Sequence, residues 1–418
     1  TELVTKRLYD FYYKMFYIFL NLSGLFVIYI SVTEAMKSII VLVNKGYIKV
    51  SLDSKKIESM IYEKRLLVRG PKIVVIGGGT GLSTMLRGLK YYTSNITAIV
   101  TVGDDGGGSG TLREDLGILP PGDIRNCILA LADTEPLMED LLQYRFKDGT
   151  LKGQSFGNLF LAAMDGISDN FEDAVQKMSS VLAVTGKVLP VTLDDMQLEA
   201  ILENGNKVIG ESQIPVEALN QKSKIKKLMI NPENAEPLKD ALDAIKEADA
   251  IVIGPGSLYT SIIPNLLVKK ISNSVRKSDA IKIYVSNIMT QPGETDNFDV
   301  SDHVKIIKKY GGKEIVDYVI ANSGEISEEI KSRYLEEGST LAKLDIDKLK
   351  DLSVEVICDD LIKIKNGTVK HNADKLAEIL ADTIMEKKLL YDRKKIIEYM
   401  YLSQRIKDRE KINKDIGL

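Results

Sequence analysis

The stretch Lys72–Leu82, KIVVIGGGTGL, decides the fold class of this chain. A short β-branched apolar run enters a turn with four glycines, and the amphipathic stretch Ser83–Lys90 follows the turn. A second apolar run, Ile96–Val102, is followed by the paired acids Asp104 and Asp105. Strand, glycine turn, helix, strand and acid follow one another in this order at nucleotide sites in parallel α/β sheets. The sequence therefore predicts an α/β fold with a Rossmann-like parallel sheet.

Three later apolar runs also end in glycines or small polar residues, namely Ala250–Ile253, Ile281–Val285 and Tyr318–Ala321. Such residues at the carboxyl ends of strands mark the binding edge of an open parallel sheet. We place a globular domain at residues 71–372, because Pro71 interrupts the chain and the alternation of strands and helices begins there. Within this domain, Val188–Gly210 is predicted to be a β-meander. Residues 373–418 are predicted to form a charged helical tail.

The composition disfavours several kinds of site. The 418 residues are 44% apolar and carry a net charge of only -3, so there is no basic footprint and we expect no nucleic-acid partner. Two cysteines are too few for a disulfide framework. The only histidines are His303 and His371, which disfavours a histidine-based metal site or a Ser-His-Asp triad.

The N-terminal part of the chain differs from the rest. Residues Met15–Thr33 contain no charged side chain, and about 20 apolar residues are enough to cross a membrane. We expect a membrane segment in residues 1–36, with the span at about 15–33, and a juxtamembrane linker at 37–70; a buried core helix is the alternative. More Lys and Arg residues follow the stretch than precede it, which places the domain in the cytoplasm. Because the chain begins at Thr1 rather than Met, we expect a longer natural chain, which leaves an earlier span open.

The glycine turn is the first candidate ligand site. It does not match the dinucleotide pattern GxGxxG, because Leu82 stands where a third spaced glycine belongs, and no Gly-Lys-Ser/Thr follows as in a P-loop. We expect backbone N–H groups and a helix N-terminus to bind phosphate here. The alternative is a tight turn that needs left-handed glycines. The candidate residues are Gly77, Gly78, Gly79, Thr80 and Gly81.

The paired acids are the second candidate. Asp104 and Asp105 precede Gly106–Gly110, which we expect to be a flexible loop, and Gly106 is included among the ligand-binding residues. One or two carboxylate oxygens bind Mg²⁺ when phosphates supply the other ligands. The same carboxylates also suit ribose hydroxyl groups, and a solvated turn is the alternative to both roles.

Further candidates lie at junctions between loops and helices. Asp123 either caps a helix or binds the ligand, and Arg125 and Asn126 follow it in the first helical turn. Asn158 lies at another junction of this kind.

A third glycine junction follows the apolar run at Ala250–Ile253. It supplies Gly254, Gly256, Ser257 and Thr260, while Asn287 follows a neighbouring strand. Two glycine junctions suited to binding phosphate in one sheet favour a ligand with phosphates and a second polar end, such as a nucleotide sugar.

Taken together, the motifs resemble the YvcK group within the CofD-like superfamily. The resemblance covers about Pro71 to Asn372. The matching segments, in the family order, are VIGGGTGL at 75–82, DDGG at 104–107, LPPGDIRN at 119–126, SFGN at 155–158, GPGSLYTS at 254–261 and MTQPGETD at 289–296.

The resemblance implies a CofD-like fold, a Rossmann-like parallel sheet with helices on both faces, on the cytoplasmic face of the bacterial inner membrane. It implies binding of UDP-sugars such as UDP-N-acetylglucosamine, with no required cofactor and no assigned catalytic residue. The implied role is regulatory, in cell shape and envelope synthesis during gluconeogenic growth. We expect a homo-oligomer and partners among envelope-synthesis proteins.

The related CofD enzymes offer an alternative, since they transfer a phospholactyl group to a deazaflavin alcohol. In that case Asp104 and Asp105 would be catalytic and would hold Mg²⁺. Some positions depart from the family pattern: Gln154 replaces a common His, and Lys370 stands where Arg is usual. Lys370 is still counted as ligand-binding, because it keeps the charge although it loses the bidentate fork.

Overall fold

The computed structural model describes residues 13–34, 62, 64–365, 367–389, 401 and 404. The chain divides into two units, Thr1–Tyr62 and Glu63–Leu418. Most of the predicted linker at 37–70 and most of the predicted tail beyond residue 389 lie outside the described residues.

Apart from Tyr62, the described part of the first unit is one long helix, α1, at Tyr13–Glu34. Its mean hydropathy reaches 2.0, and none of its most apolar window is buried, so its length and composition suit a membrane span. Large apolar side chains such as Phe19 and Tyr29 are about two-thirds exposed. The predicted span at about 15–33 falls within this helix, while its insertion in a membrane stays a prediction.

The second unit contains twelve named strands and fourteen named α-helices, after a short helical segment at residues 64–69. The strands are β1 Ile73–Gly77, β2 Ile96–Val100, β3 Lys187–Pro190, β4 Gln197–Leu202, β5 Lys207–Ile209, β6 Ile225–Asn231, β7 Ala250–Ile253, β8 Ile281–Val285, β9 Tyr318–Asn322, β10 Glu355–Asp359, β11 Ile362–Lys365 and β12 Thr368–His371.

The helices alternate with these strands. They are α2 Gly79–Leu89, α3 Gly107–Leu116, α4 Gly122–Leu131, α5 Pro136–Gln143, α6 Phe156–Gly166, α7 Phe171–Val181, α8 Gln213–Asn220, α9 Lys239–Glu247, α10 Ile263–Leu267, α11 Lys269–Lys277, α12 Val300–Gly311, α13 Glu328–Glu336, α14 Ile346–Asp351 and α15 Ala373–Ile384. Two π-helical turns lie at Leu258–Ile262 and Met385–Leu389.

The centre of the domain is a seven-stranded sheet in the order β10-β9-β8-β7-β1-β2-β3, and all its pairs are parallel. Every residue of β1 is buried, including both alternating sets of side chains. Both faces of the sheet are therefore covered at its centre, as expected for a continuous β-branched run in a parallel sheet. The predicted Rossmann-like sheet is confirmed.

The strand order reverses between β1 and β7. From β1 the chain adds β2 and β3 on one side, and β7, β8, β9 and β10 extend the sheet on the other side. Such a switch point opens a crevice at the carboxyl ends of its two strands, because the following connections diverge. The glycine turns after β1 and β7 lie at this crevice.

The predicted meander at Val188–Gly210 is wrong in part. Lys187–Pro190 pairs in parallel with β2 and closes one edge of the large sheet. Only β4 and β5 form the antiparallel hairpin, around the predicted turn at Asn204 and Gly205, and β6 joins β4 in a separate three-stranded sheet. An apolar run alone does not show whether its partner strand is parallel or antiparallel.

The start of the predicted tail is part of the packed domain. Helix α15 buries Leu376, Leu380 and Ile384 in the main hydrophobic core. Gly88 of α2 lies so close to the backbone of Ala373 that a Cβ at Gly88 would overlap its carbonyl oxygen. The packed domain therefore continues beyond Asn372.

Candidate functional site

The glycine junctions after β1 and β7 touch each other through their backbones. A Cβ placed on Gly81 would lie 2.9 Å from the carbonyl oxygen of Pro255. A Cβ placed on Gly256 would lie 3.0 Å from the carbonyl oxygen of Gly78. Because glycine has no side chain, the two backbones can approach this closely; any side chain at these positions would push them apart.

The turn after β1 is shorter than expected. Helix α2 begins at Gly79, so Thr80 and Gly81 lie in its first turn rather than in a loop. Gly79 has a φ of +70° and Gly254 has a φ of +77°, both in the left-handed region that favours glycine. The N-terminus of α2 therefore faces the crevice with backbone N–H groups that have no helical partner.

A cavity of about 260 Å³ lies between the two junctions. Several of the predicted ligand-binding residues line it: Gly79, Thr80, Gly81, Gly256, Ser257, Asn287 and Lys370. Gly77, Gly78 and Gly254 are not among the lining residues and lie at the ends of β1 and β7. The structure thus brings together candidates from four separate stretches of the sequence.

Polar side chains link the end of β8 to the junction after β7. Asn287 accepts a hydrogen bond from the Gly256 N–H through its Oδ1 at 3.2 Å. Gln291 donates from its Nε2 to Ser257 Oγ at 2.7 Å, and Asn287 donates to Gln291 at 3.4 Å. One wall of the cavity therefore presents neutral amides and a hydroxyl group.

Strand β12 supplies a further part of the cavity lining, from Thr368 to His371. Lys370 is the only cation among the described residues that line the cavity. The neighbouring His371 contacts the carbonyl oxygen of Ser286 at 3.1 Å through Nε2, and burial lowers its pKa to about 4. The imidazole is neutral at pH 7, so the positive charge of this part of the lining resides on Lys370.

Asp123 connects α4 to the glycine turn rather than capping its own helix. The N-cap position is Pro121, and the Asp123 carboxylate accepts the backbone N–H of Gly79. Burial and the nearby charge of Asp104 raise the pKa of Asp123 to about 6. A Cβ at Gly78 would lie 2.5 Å from Asp123 Oδ2, so the carboxylate rests directly against the turn.

The two paired acids have different environments. Asp105 accepts the backbone N–H groups of Glu211 at 3.0 Å and Ser212 at 2.8 Å, so it holds the segment before α8. Asp104 accepts one local bond from the Gly106 N–H at 2.9 Å and raises the pKa values of neighbouring carboxyl groups. Of the pair, Asp104 has more capacity left for a ligand.

The expected flexible loop at Gly106–Gly110 is instead the start of helix α3. Gly110 packs against the carbonyl group of Asp105 so closely that a side chain there would overlap it. The glycines allow a helix to begin directly against the acidic turn, which holds Asp104 in a defined position.

The buried Glu294 and the half-buried Glu211 join this acidic cluster, and neither was predicted as a site residue. Glu294 accepts the Tyr259 N–H at 3.2 Å and the Thr260 hydroxyl at 3.3 Å, and burial raises its pKa to about 7. Burial and then the charge of Asp104 raise the pKa of Glu211 to about 8, and Thr260 also hydrogen-bonds to this carboxyl group. Carboxyl groups with pKa values near neutrality are suited to holding and moving protons.

The two glutamates differ in how far the sequence could have identified them. Glu294 lies in the polar stretch MTQPGETD that follows β8, which made it noticeable, and Gln291 lies in the same stretch. Glu211 has no motif around it, and only the fold brings it beside Asp104.

The remaining candidates, Arg125, Asn126 and Asn158, do not line the glycine cavity. Arg125 donates to Ser155 Oγ at 3.2 Å and to Asn126 Oδ1 at 2.7 Å, and both Arg125 and Asn126 line a second groove. Asn158 is buried in the first turn of α6, where its backbone N–H reaches Ser155 Oγ at 3.2 Å. Asn158 lines neither cavity.

The carboxyl groups do not form a complete metal site by themselves. Within the described ranges, no three His, Cys, Asp or Glu side chains are grouped closely enough to hold a metal ion. A divalent ion at Asp104 and Asp123 would need phosphate oxygens to complete its coordination, as is usual for Mg²⁺.

Comparison with known proteins identifies the family. The family described as 2-phospho-L-lactate transferase CofD matches residues 73–362, which is more than half of the chain. The chain belongs to the CofD family. Both glycine junctions and the acidic cluster of this CofD-family chain fall within the matched residues, and the predicted family resemblance is confirmed.

Relatives of this CofD-family chain carry a physiological name. A relative in Clostridium acetobutylicum is 67% identical over 415 residues, which are 99% of this chain and 92% of that protein. The gluconeogenesis factor of Bacillus subtilis is 50% identical over 317 residues, which are 76% of this chain and 99% of that protein. The first match includes helix α1, because it covers all but a few residues.

A solved structure shares the fold. The crystal structure of a UPF0052-family protein from Bacillus halodurans is 46% identical and has a TM-score of 0.71. The match covers 74% of this chain and 98% of that one.

Proposed function

We propose that this CofD-family chain binds a UDP-sugar, such as UDP-N-acetylglucosamine, in the cavity between its two glycine junctions. The observation that carries the proposal is the backbone contact between these junctions at the β1–β7 switch point, with the cation Lys370 in the lining of the same cavity. A diphosphate requires N–H donors and positive charge, and the cavity offers both.

The other groups of the cavity suit the neutral ends of such a ligand. Asn287, Gln291 and Ser257 form a wall of amides and a hydroxyl, which matches the hydroxyl and amide groups of uridine and an N-acetylated sugar. His371 is neutral and adds no second charge. The ligand would therefore be held by its phosphates and selected by hydrogen bonds.

The biological role that we propose is regulatory. The Bacillus subtilis relative is named a gluconeogenesis factor, which supports a role in gluconeogenic growth. We extend this to cell shape and envelope synthesis, because nucleotide sugars are precursors of envelope polymers. The chain would act on envelope-synthesis proteins as a homo-oligomer, held at the cytoplasmic face of the membrane by α1.

Mg²⁺ would assist binding without being required. Asp104 and Asp123 are the carboxylates we assign to it, in place of the pair Asp104 and Asp105. Asp105 already accepts two backbone N–H groups, so its oxygens are committed to the fold. The ion would offset the repulsion that raises the pKa of Asp123.

A CofD-type transferase is the second candidate, since the family description names that activity. The cluster of Glu211, Glu294 and Asp123 favours it, because carboxyl groups with raised pKa values are suited to accept the proton of an attacking alcohol. The transferase candidate predicts that the chain forms the phospholactyl product when it is given a lactyl-diphospho-nucleoside and a deazaflavin alcohol. Such product, absent when Asp104→Asn is assayed, would replace the regulatory proposal with an enzymatic one.

Calorimetric titration of the full chain in detergent with UDP-N-acetylglucosamine, with and without Mg²⁺, tests the binding proposal. We expect one ligand for each chain, and about tenfold weaker binding for Lys370→Gln through loss of a charge-assisted contact. Lys246→Gln is the matched control, because Lys246 is an exposed lysine outside the cavity. No heat at high micromolar ligand, or equal loss in both variants, would contradict the proposal.

A further inference from the structure

A second cavity, of about 550 Å³, opens beside the glycine cavity, and we call it the basic groove. Thr80, Thr84, Lys370 and His371 line both cavities, so the two share a wall. The cations that line the basic groove are Arg87, Arg125, Arg145, Lys363, Lys365 and Lys370. Glu139 is the only carboxylate among its described lining residues.

Most of this positive charge is not neutralised within the described part of the chain. Glu139 pairs with Arg87 at 2.7 Å. Arg145 donates to the carbonyl oxygen of Gly153, which has no net charge. Lys363, Lys365 and Lys370 have no acidic partner among the described residues.

The hairpin places two of these lysines directly opposite each other. Lys363 of β11 pairs with Lys370 of β12 in the antiparallel register. Lys365 lies two residues further along β11, on the same face as Lys363, because side chains alternate along a strand. Like charges directly opposite one another destabilise a sheet, so this row of lysines favours a bound anion that separates them.

Arg125, which lines the groove from helix α4, provides an independent indication. It is only 8% exposed, and its two terminal nitrogens are held by Ser155 and Asn126. Its Nε is buried and has no hydrogen-bond partner. A buried guanidinium with a spare donor is costly unless an acceptor reaches it.

We propose that the basic groove is a second anion site, which binds a small polyphosphate separately from the glycine cavity. Cations from α2, α4 and the β11–β12 hairpin line one groove, and several cations match several linked phosphoryl groups better than one. The groove is also enclosed enough to favour a small anion over a flat membrane surface. Because Lys370 lines both cavities, an anion in the groove would change the charge available to a ligand in the glycine cavity.

Titration of the full chain in detergent with inorganic tripolyphosphate tests this inference without any nucleotide. We expect binding to the natural chain, and about tenfold weaker binding when Lys363→Gln and Lys365→Gln are combined. The matched control combines Lys226→Gln and Lys227→Gln, two exposed lysines on β6, and should bind as the natural chain does. Binding should also weaken as NaCl is raised.

A second arm distinguishes a free polyphosphate from a lipid headgroup. Glycerol phosphate, which carries a single phosphoryl group, should bind at least about tenfold more weakly than tripolyphosphate, because fewer charge-assisted contacts form. Equal or tighter binding of glycerol phosphate would overturn the polyphosphate assignment. Absence of tripolyphosphate binding, or the same affinity in both double variants, would overturn the site itself. Neither failure bears on binding of the UDP-sugar, which is measured separately with Lys370→Gln.

Discussion

Gly81 lies against Pro255, and a Cβ at Gly81 would come within 2.9 Å of the Pro255 carbonyl oxygen. The two residues belong to different glycine junctions, one after β1 and one after β7. Their contact sets the width of the crevice at the switch point. The glycines therefore have two roles: they form the turns, and they allow the backbones of the two junctions to approach each other.

Gly81→Ala should widen this crevice. The new methyl group meets backbone atoms, which cannot rotate away, so we expect a loss of about 1–3 kcal/mol in the free energy of unfolding. UDP-N-acetylglucosamine binding should weaken as well. Gly166→Ala is the control, since a Cβ there has nothing within 4 Å. Denaturant unfolding and calorimetric titration measure the two effects; equal stability and affinity in Gly81→Ala and the natural chain would contradict the close-approach role.

The two acids of the pair should respond differently to amide substitution. Asp105→Asn weakens two hydrogen bonds to the backbone before α8 and should cost about 1–3 kcal/mol of unfolding free energy. Asp104→Asn removes repulsion on Asp123 and Glu211, so it should not destabilise the chain. Any enhancement of ligand binding by Mg²⁺ should disappear in Asp104→Asn. Similar destabilisation in both variants, with the Mg²⁺ effect kept in Asp104→Asn, would rule out these separate roles.

The acidic cluster should make stability depend on pH. Glu211 has a pKa of about 8 in the folded chain, against an ordinary value of 4.5, so the folded state holds its proton more tightly than the unfolded state. Stability contributed by this group is therefore present at low pH and falls as the pH rises from about 4.5 through about 8.

Glu211→Gln should flatten this fall and raise the melting temperature at pH 8.5 relative to the natural chain. The residual slope would come from Glu294, with a pKa of about 7, and Asp123, with a pKa of about 6. Calorimetric melting curves from pH 5.5 to 8.5 measure the slope, with exposed Glu337→Gln as control. A slope unchanged by Glu211→Gln would show that this carboxyl group is not held protonated.

Helix α1 should direct the chain to membranes. The full chain should sediment with membranes and resist carbonate extraction, and deletion of Tyr13–Glu34 should release it. Leu22→Lys combined with Leu25→Lys should also release it, because a lysine near the centre of a span costs about 2.5–3.5 kcal/mol. Leu219→Lys with Leu335→Lys, two exposed leucines of the second unit, is the control. Recovery of the natural chain in the soluble fraction would refute the anchor.

Much of the sheet was predictable because its central strands are buried on both faces. Ala250–Ile253 and Ile281–Val285 have the predicted bounds, because both are short, mainly β-branched segments that end at glycine or small polar residues. The glycines also correctly indicated that the crevice lies at the carboxyl ends of the strands. The contact of Gly81 with Pro255 was not predictable, because it depends on the strand order.

Long-range partners account for what the sequence did not predict. The hydrogen bonds of Asp105 to Glu211 and Ser212 were not predictable, because these residues are distant in sequence. Lys187–Pro190 was predicted to be part of a meander. Its parallel partner β2 lies several helices earlier in the chain, so the local sequence does not reveal the pairing. Helix α15 was predicted to be part of a tail because charged residues surround its apolar positions. Its packing against Gly88 depends on the fold and was not predictable.

Hydrogen–deuterium exchange of the full chain with saturating UDP-N-acetylglucosamine tests the location of the ligand most directly. We expect slower exchange in peptides that cover Gly77–Thr84 and Gly254–Ser261, on both sides of the cavity. Peptides from β4 and β5, which lie in the separate antiparallel sheet, should be unchanged. Confirmed binding with no protection at either glycine junction would contradict a nucleotide-sugar site between β1 and β7.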